Sequence, residues 1–112
     1  MNLYLVTRWG NDHDPDGPDG EDTNFLVRAS TVTEASEIVD SVLEKLPHKN
    51  VDDFCHRVTR IGESISESLK APIILGPFVA PAIMHDDEGI DNIERWARDE
   101  KSEGWINFVD YV

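Results

Sequence analysis

The stretch that decides the fold is TVTEASEIVDSVLEKLP, residues 31–47. Val32, Ala35, Ile38, Val39, Val42, Leu43 and Leu46 recur at steps of three and four, which puts them on one face of a helix. Thr31 and Glu34 have the spacing of a capping box, in which each side chain accepts from the other's orphan backbone N–H. Pro47 prevents continuation. Glu34, Glu37, Ser41, Glu44 and Lys45 form the solvated face.

A single amphipathic helix needs an apolar surface to cover, and the residues before it supply strands. Leu3 to Trp9 is rich in β-formers, as is Asn24 to Ala29 around Phe25, Leu26 and Val27, and the two read as a hairpin. The connection from Gly10 to Thr23 holds three Gly, two Pro and no apolar residue, so it reads as a loop. It is far longer than a hairpin requires, and unstructured loops of that length usually carry function or lack order.

After the helix, Val51 to Leu69 is ambiguous. Val51, Phe54, Val58, Ile61, Ile65 and Leu69 fall at helical spacing with Asn50, Asp52 and Asp53 as caps, whereas residues 54–61 are rich in β-branched and aromatic side chains. Gly62 would interrupt a helix, and the favoured reading is a strand to Ile61, followed by a turn or short helical piece over Ser64 to Lys70. Three prolines between Pro72 and Ile83 exclude a long central strand and leave a short one at Ile73 to Leu75, ending at Gly76-Pro77, then an extended passage. Gly89 to Glu103 reads as a second helix with Ile90, Ile93, Trp96 and Ala97 inward, stopped by Gly104. Trp105 to Val112 reads as a final strand, and its apolar edge is a candidate for homodimer pairing.

The order β-β-α-β-β-α-β predicts an α+β fold, a mostly antiparallel sheet of four to five strands with two helices packed on one side. At 112 residues the expectation is one domain over 1–112, able to bury about two-thirds of its unfolded surface. The mean hydropathy of -0.41 is that of an ordinary globular chain. No run of about eighteen apolar residues predicts a membrane span. Met1 to Val6 is apolar but has no basic leader and no cleavage site, so it reads as a first strand, not a signal peptide. One cysteine, Cys55, excludes an internal disulfide and points to a reducing compartment, the cytoplasm.

The net charge of -13 argues against direct contact with nucleic acid phosphates or anionic membranes, both of which need clustered Lys and Arg. Its distribution is uneven. Six acids and no base lie between Asn11 and Asp22, and eight acids and three bases between Asp86 and Glu103, which leaves a nearly balanced remainder.

The acidic loop at 10–23 is the sharpest candidate site. Asp12, Asp14 and Asp16 followed by Gly17 reproduce the first half of a calcium loop, where alternate carboxylates converge on a hard cation. The second half departs from that pattern, because Asp19 stands where an apolar residue belongs and Thr23 where a bidentate Glu belongs. A calcium or magnesium site at Asp12, Asp14 and Asp16 is therefore the alternative expectation. The first expectation is a contact surface for a basic protein, formed by Trp9, Asp12, Asp14, Asp16, Asp19, Glu21 and Asp22, in which an indole beside carboxylates offers its face to Arg or Lys.

Other chemistry is not signalled. His85, Asp86, Asp87 and Glu88 precede the second predicted helix, where carboxylates cap N–H groups and oppose the dipole. Cys55 and His56 adjoin, so an extended strand would turn them to opposite faces and prevent a nucleophile-base pair, and Cys55 reads as a small buried hydrophobe. No phosphate-cradling loop, paired-cysteine zinc spacing or nucleophile elbow is present. Size and charge together match the profile of small acidic inhibitors, immunity proteins and phage modulators, so the expectation is a non-enzymatic interaction module with no catalytic residues.

Overall fold

The structure, a computed structural model, describes residues 1–10, 22–46, 51–64, 71–80 and 94–107. The element order over these residues is β1 (Asn2–Arg8), β2 (Asp22–Ala29), α1 (Val32–Leu43), β3 (Arg57–Glu63), β4 (Ile73–Ala80), β5 (Arg95–Ala97) and β6 (Ile106–Asn107). The strands form one sheet in the order β4-β2-β1-β3-β5-β6, with every pairing antiparallel. The fold is α+β, as the sequence predicts, but the described residues hold six strands and one helix.

The hairpin and helix follow their sequence signals. Tyr4 pairs with Val27 and Val6 with Phe25, so the period-two alternation of both strands puts these four side chains on one face. Val58 of β3 joins them opposite Val6. Onto this face α1 lays Ala35, Val39 and Leu43, all fully buried, with Val32, Ile38, Val42 and Leu46 at the margin. The cap forms as the 31–34 spacing requires on one side, with the Glu34 N–H donating to Thr31 Oγ1 at 3.1 Å. On the other side Glu34 Oε1 accepts from Ser30 N–H at 3.2 Å, one residue earlier than a strict capping box.

Three expectations need correction. The second helix over Gly89 to Glu103 is not formed in its described part, where Arg95–Ala97 is strand β5 followed by bends and a turn. Pairing with the open edge of β3, through Val58 with Trp96 and Thr59 with Arg95, overrides the helical spacing of Trp96 and Ala97. The strand turns these neighbours to opposite faces, so Trp96 packs against the helix-covered core and meets Tyr4 edge-on, its ring centre 6.4 Å away. Among the described residues the sheet has six strands, not four to five, because Arg95–Ala97 adds one where a helix was expected. The short strand at Ile73 to Leu75 does not stop at Gly76-Pro77 but runs to Ala80, and it does so as an outer strand, where a proline is tolerated.

Between Val51 and Ile61 the strand reading holds, with β3 beginning at Arg57. The turn over residues 65–70, the His85 to Glu88 cluster, the start of the second predicted helix and residues 108–112 of the final strand lie outside the described residues. No described helix is long and apolar enough to cross a membrane.

Candidate functional site

The strand directions bring several distant segments to one end of the sheet. β1 leaves it at Arg8 and β2 enters at Asp22, with Arg8 paired to Thr23. β3 starts there at Arg57 and β5 finishes there at Ala97. Since α1 follows β2, its last turn returns to the same end. Two side-chain clusters occupy this end, one centred on Arg98 and the other on His56.

Arg98 is 7% exposed, and its guanidinium makes four contacts to three residues. Nη2 donates to Asp40 Oδ2 at 2.7 Å and lies 3.7 Å from Cys55 Sγ, Nε donates to the Cys55 carbonyl at 2.9 Å, and Nη1 donates to the Lys101 carbonyl at 3.1 Å. The second Asp40 oxygen accepts the Cys55 N–H at 2.8 Å. Trp105 covers the guanidinium at 4.4 Å, a cation–π distance. The helix, the segment entering β3 and the turn after β5 are thus fastened to one another by a buried ion pair in which every nitrogen of the guanidinium has an acceptor.

Cys55 sits inside this network and is fully buried. Burial, followed by the adjacent Asp40 carboxylate, raises its thiol far above the ordinary range, against a weaker pull from Arg98. A thiol held neutral in this way is not a nucleophile at physiological pH.

Beside the network lies an open groove of about 580 Å³. Thr33, Ser36 and Glu37 of α1 form one wall and Lys101, Glu103 and Trp105 the other, with Asp40 and Arg98 at the base. Small-molecule pockets are mostly enclosed and apolar, whereas this one is open and rimmed by charge. Glu37 and Glu103 of its walls are exposed, and so are Glu44 on the same helix and Asp99 and Glu100 in the same turn. Lys101 offsets one of them through an ion pair with Glu44 at 2.6 Å, and that contact raises its pKa.

The second cluster holds the root of the acidic loop. His56 is 2% exposed and stacks flat on Trp9, with ring centres 4.7 Å apart and planes 4° from parallel, while Phe54 flanks it at 4.8 Å. Its Nδ1 accepts the Trp9 backbone N–H at 3.0 Å and its Nε2 meets Asp52 Oδ2 at 2.7 Å. The Nδ1 contact fixes the tautomer, because only an unprotonated nitrogen can accept. Burial lowers the pKa of this imidazole, and Arg98 and Arg8 add to the lowering, while Asp52 opposes it. Both ring nitrogens are occupied, so this Asp-His pair is not poised as a base.

Of the residues expected to contact a partner, Trp9 and Asp22 are described. Trp9 is half-buried against His56, with the Arg57 guanidinium 6.0 Å from its ring. Asp22 opens β2 and accepts the Gly10 N–H at 3.1 Å, so the two ends of the loop are tied together. Asp12, Asp14, Asp16, Asp19 and Glu21 lie outside the described residues, and with them the carboxylates of the calcium-type spacing. Among the described residues no three His, Cys, Asp or Glu side chains group to hold a metal ion.

Sequence reasoning missed Arg98, Asp40 and the groove. One signal was available: Ser36 and Asp40 fall at the same helical spacing as Val32, Val39 and Leu43, so polar groups stand on the covered face of α1 and require buried partners. No family model matches the chain, and neither a curated protein nor a solved structure does.

Proposed function

We propose that this chain is a non-enzymatic interaction module that presents acidic surface to a basic protein. The observation that supports it is the convergence of exposed carboxylates on one end of the sheet, on three elements locked together by the Asp40–Arg98 pair. Preorganised charge of one sign steers a partner of the other and discriminates against like-charged competitors, at little ordering cost on binding. The acidic loop, with Asp12, Asp14, Asp16, Asp19 and Glu21, is rooted at this end through Trp9 and Asp22 and belongs to the same reading. A single buried thiol suits a reducing compartment such as the cytoplasm.

The test compares two variants of equal charge change against a partner recovered with the unmodified chain. Glu37→Gln/Glu100→Gln neutralises one carboxylate of the groove wall and one of the turn after β5, and Glu63→Gln/Glu94→Gln neutralises carboxylates near the far end of β3. Rim charges contribute about 0.2–1 kcal/mol each, so the first variant should bind several-fold more weakly, with the loss shrinking at high salt. The second should bind as the unmodified chain does. Equal losses would reduce the interaction to net charge, and no loss in the first, nor in Asp12→Asn/Asp14→Asn/Asp16→Asn/Asp19→Asn, would end the reading.

A further inference from the structure

The contact between His56 and the Trp9 main chain is tied to one protonation state of the imidazole. Nδ1 of His56 accepts a main-chain N–H, while Nε2 is held at 2.7 Å by Asp52. The neutral ring with its proton on Nε2 satisfies both contacts at once. A doubly protonated ring keeps the Asp52 contact and strengthens it, but presents an N–H at Nδ1 to the N–H of Trp9, two donors 3.0 Å apart. The ring cannot escape by rotating. Trp9 lies flat against one face, Phe54 flanks it, and turning it would break the Asp52 contact as well.

We propose that His56 is a proton-operated latch on Trp9: as neutral imidazole it holds the Trp9 main chain, and on taking a proton at Nδ1 it lets go. The latch sits where β1 leaves the sheet, one residue before Gly10 and its bond to Asp22. Its anchor is firm, since the His56 N–H donates to the Thr7 carbonyl at 2.8 Å and the His56 carbonyl accepts from Arg98 N–H at 2.9 Å. Release therefore moves Trp9, not His56.

The charged groups around the latch, among the described residues, act in both directions. Asp52, about half exposed, favours the imidazolium, and Arg8 on β1 and Arg98 after β5 disfavour it. Arg57 at the start of β3 lies over the Trp9 ring and Asp22 at the start of β2 holds Gly10, so both face the released segment more directly than the imidazole. Burial adds to the arginines. The balance leaves the ring neutral at neutral pH, with the transition on the acid side of an ordinary histidine. This inference does not depend on what the acidic end binds.

The experiment uses the full chain labelled with nitrogen-15, followed by NMR from mildly alkaline to mildly acidic pH. Imidazole spectra should show His56 protonated on Nε2 and bare on Nδ1 at the start. As pH falls, protonation of Nδ1 and displacement of the Trp9 amide resonance should share one midpoint, while the amides of Val6 and Val27 in the sheet centre stay in place. An Nδ1-protonated ring at the start, a Trp9 amide indifferent to the His56 transition, or central amides lost at the same midpoint would each overturn the proposal. Asp52→Asn, a change at a half-exposed position, should move both midpoints to lower pH together. Movement of the His56 midpoint without that of Trp9 would show the two to be uncoupled and overturn it as well.

Discussion

Nη2 of Arg98 lies 2.7 Å from Oδ2 of Asp40, with both side chains at least nine-tenths buried and 58 positions apart in sequence. Desolvating two charges costs several kcal/mol, so such a pair adds net stability only when the remaining hydrogen-bonding capacity is used. Here it is used, by the Cys55 N–H on the acid and by the Cys55 and Lys101 carbonyls on the base. The pair's main effect is geometric: it sets where the turn carrying Asp99, Glu100 and Glu103 stands relative to α1.

Removing one partner leaves the other charged and buried. Arg98→Met and Asp40→Leu should each cost about 3–5 kcal/mol in urea unfolding, and the double variant should cost clearly less than the sum of the two. Strict additivity in that cycle would show that the two side chains act independently.

Cys55 should resist thiol reagents. Burial and Asp40 keep it protonated, so Ellman's reagent at neutral pH should modify it only as fast as the chain unfolds, and rapidly in denaturant. Fast labelling under native conditions would contradict the burial of this thiol.

Stability should fall on mild acidification. The folded pKa of His56 lies below the unfolded value of about 6.5, so the unfolded chain takes up the proton first and binds more protons as pH drops. The contribution is fully present above the unfolded pKa and is lost as pH falls toward the folded one. His56→Gln should flatten this part of a plot of unfolding free energy against pH, whatever it does to stability at neutral pH.

At Gly76 a side chain has no room. Its φ of 123° lies where L-residues are strained, and an added Cβ would stand 2.7 Å from the Asn24 carbonyl oxygen and 2.9 Å from Phe25 Cα. Backbone on both counts cannot move aside cheaply. Gly76→Ala should destabilise by about 1–3 kcal/mol, read as a lower Tm, and Gly62→Ala in β3, where the space is open, should cost less.

The parts of the fold that the sequence made legible are those whose signal is local. Val32 to Leu46 repeats at one period for four turns, and β1 and β2 each carry a β-rich run beside a clear break, so helix and hairpin could be read without knowing the rest. β5 could not. Arg95, Trp96 and Ala97 are strand because β3 offers an unpaired edge, and nothing within three residues encodes that edge. The Arg98 network was hidden for the same reason, as its partners come from residues 40, 55 and 101. His56 was singled out as a neighbour of Cys55, yet its working partners are Trp9 and Asp52. The acidity of the loop was visible from composition alone, whereas the Asp40–Arg98 network at the end of the sheet where its flanking strands stop was not.

The position of β1 in the strand order has a consequence for the chain as it is made. Synthesis delivers β1 and β2 before the helix, and only afterwards β3, which closes the second side of β1. Until then the nascent sheet is a hairpin bare at both edges, since β4 as well as β3 follows the helix, and α1 is the first element able to shield its apolar face. A sequence change that delays α1 would lengthen the exposure of that face on the ribosome. Such a change would show itself as lost yield of soluble chain even where the finished fold is no less stable.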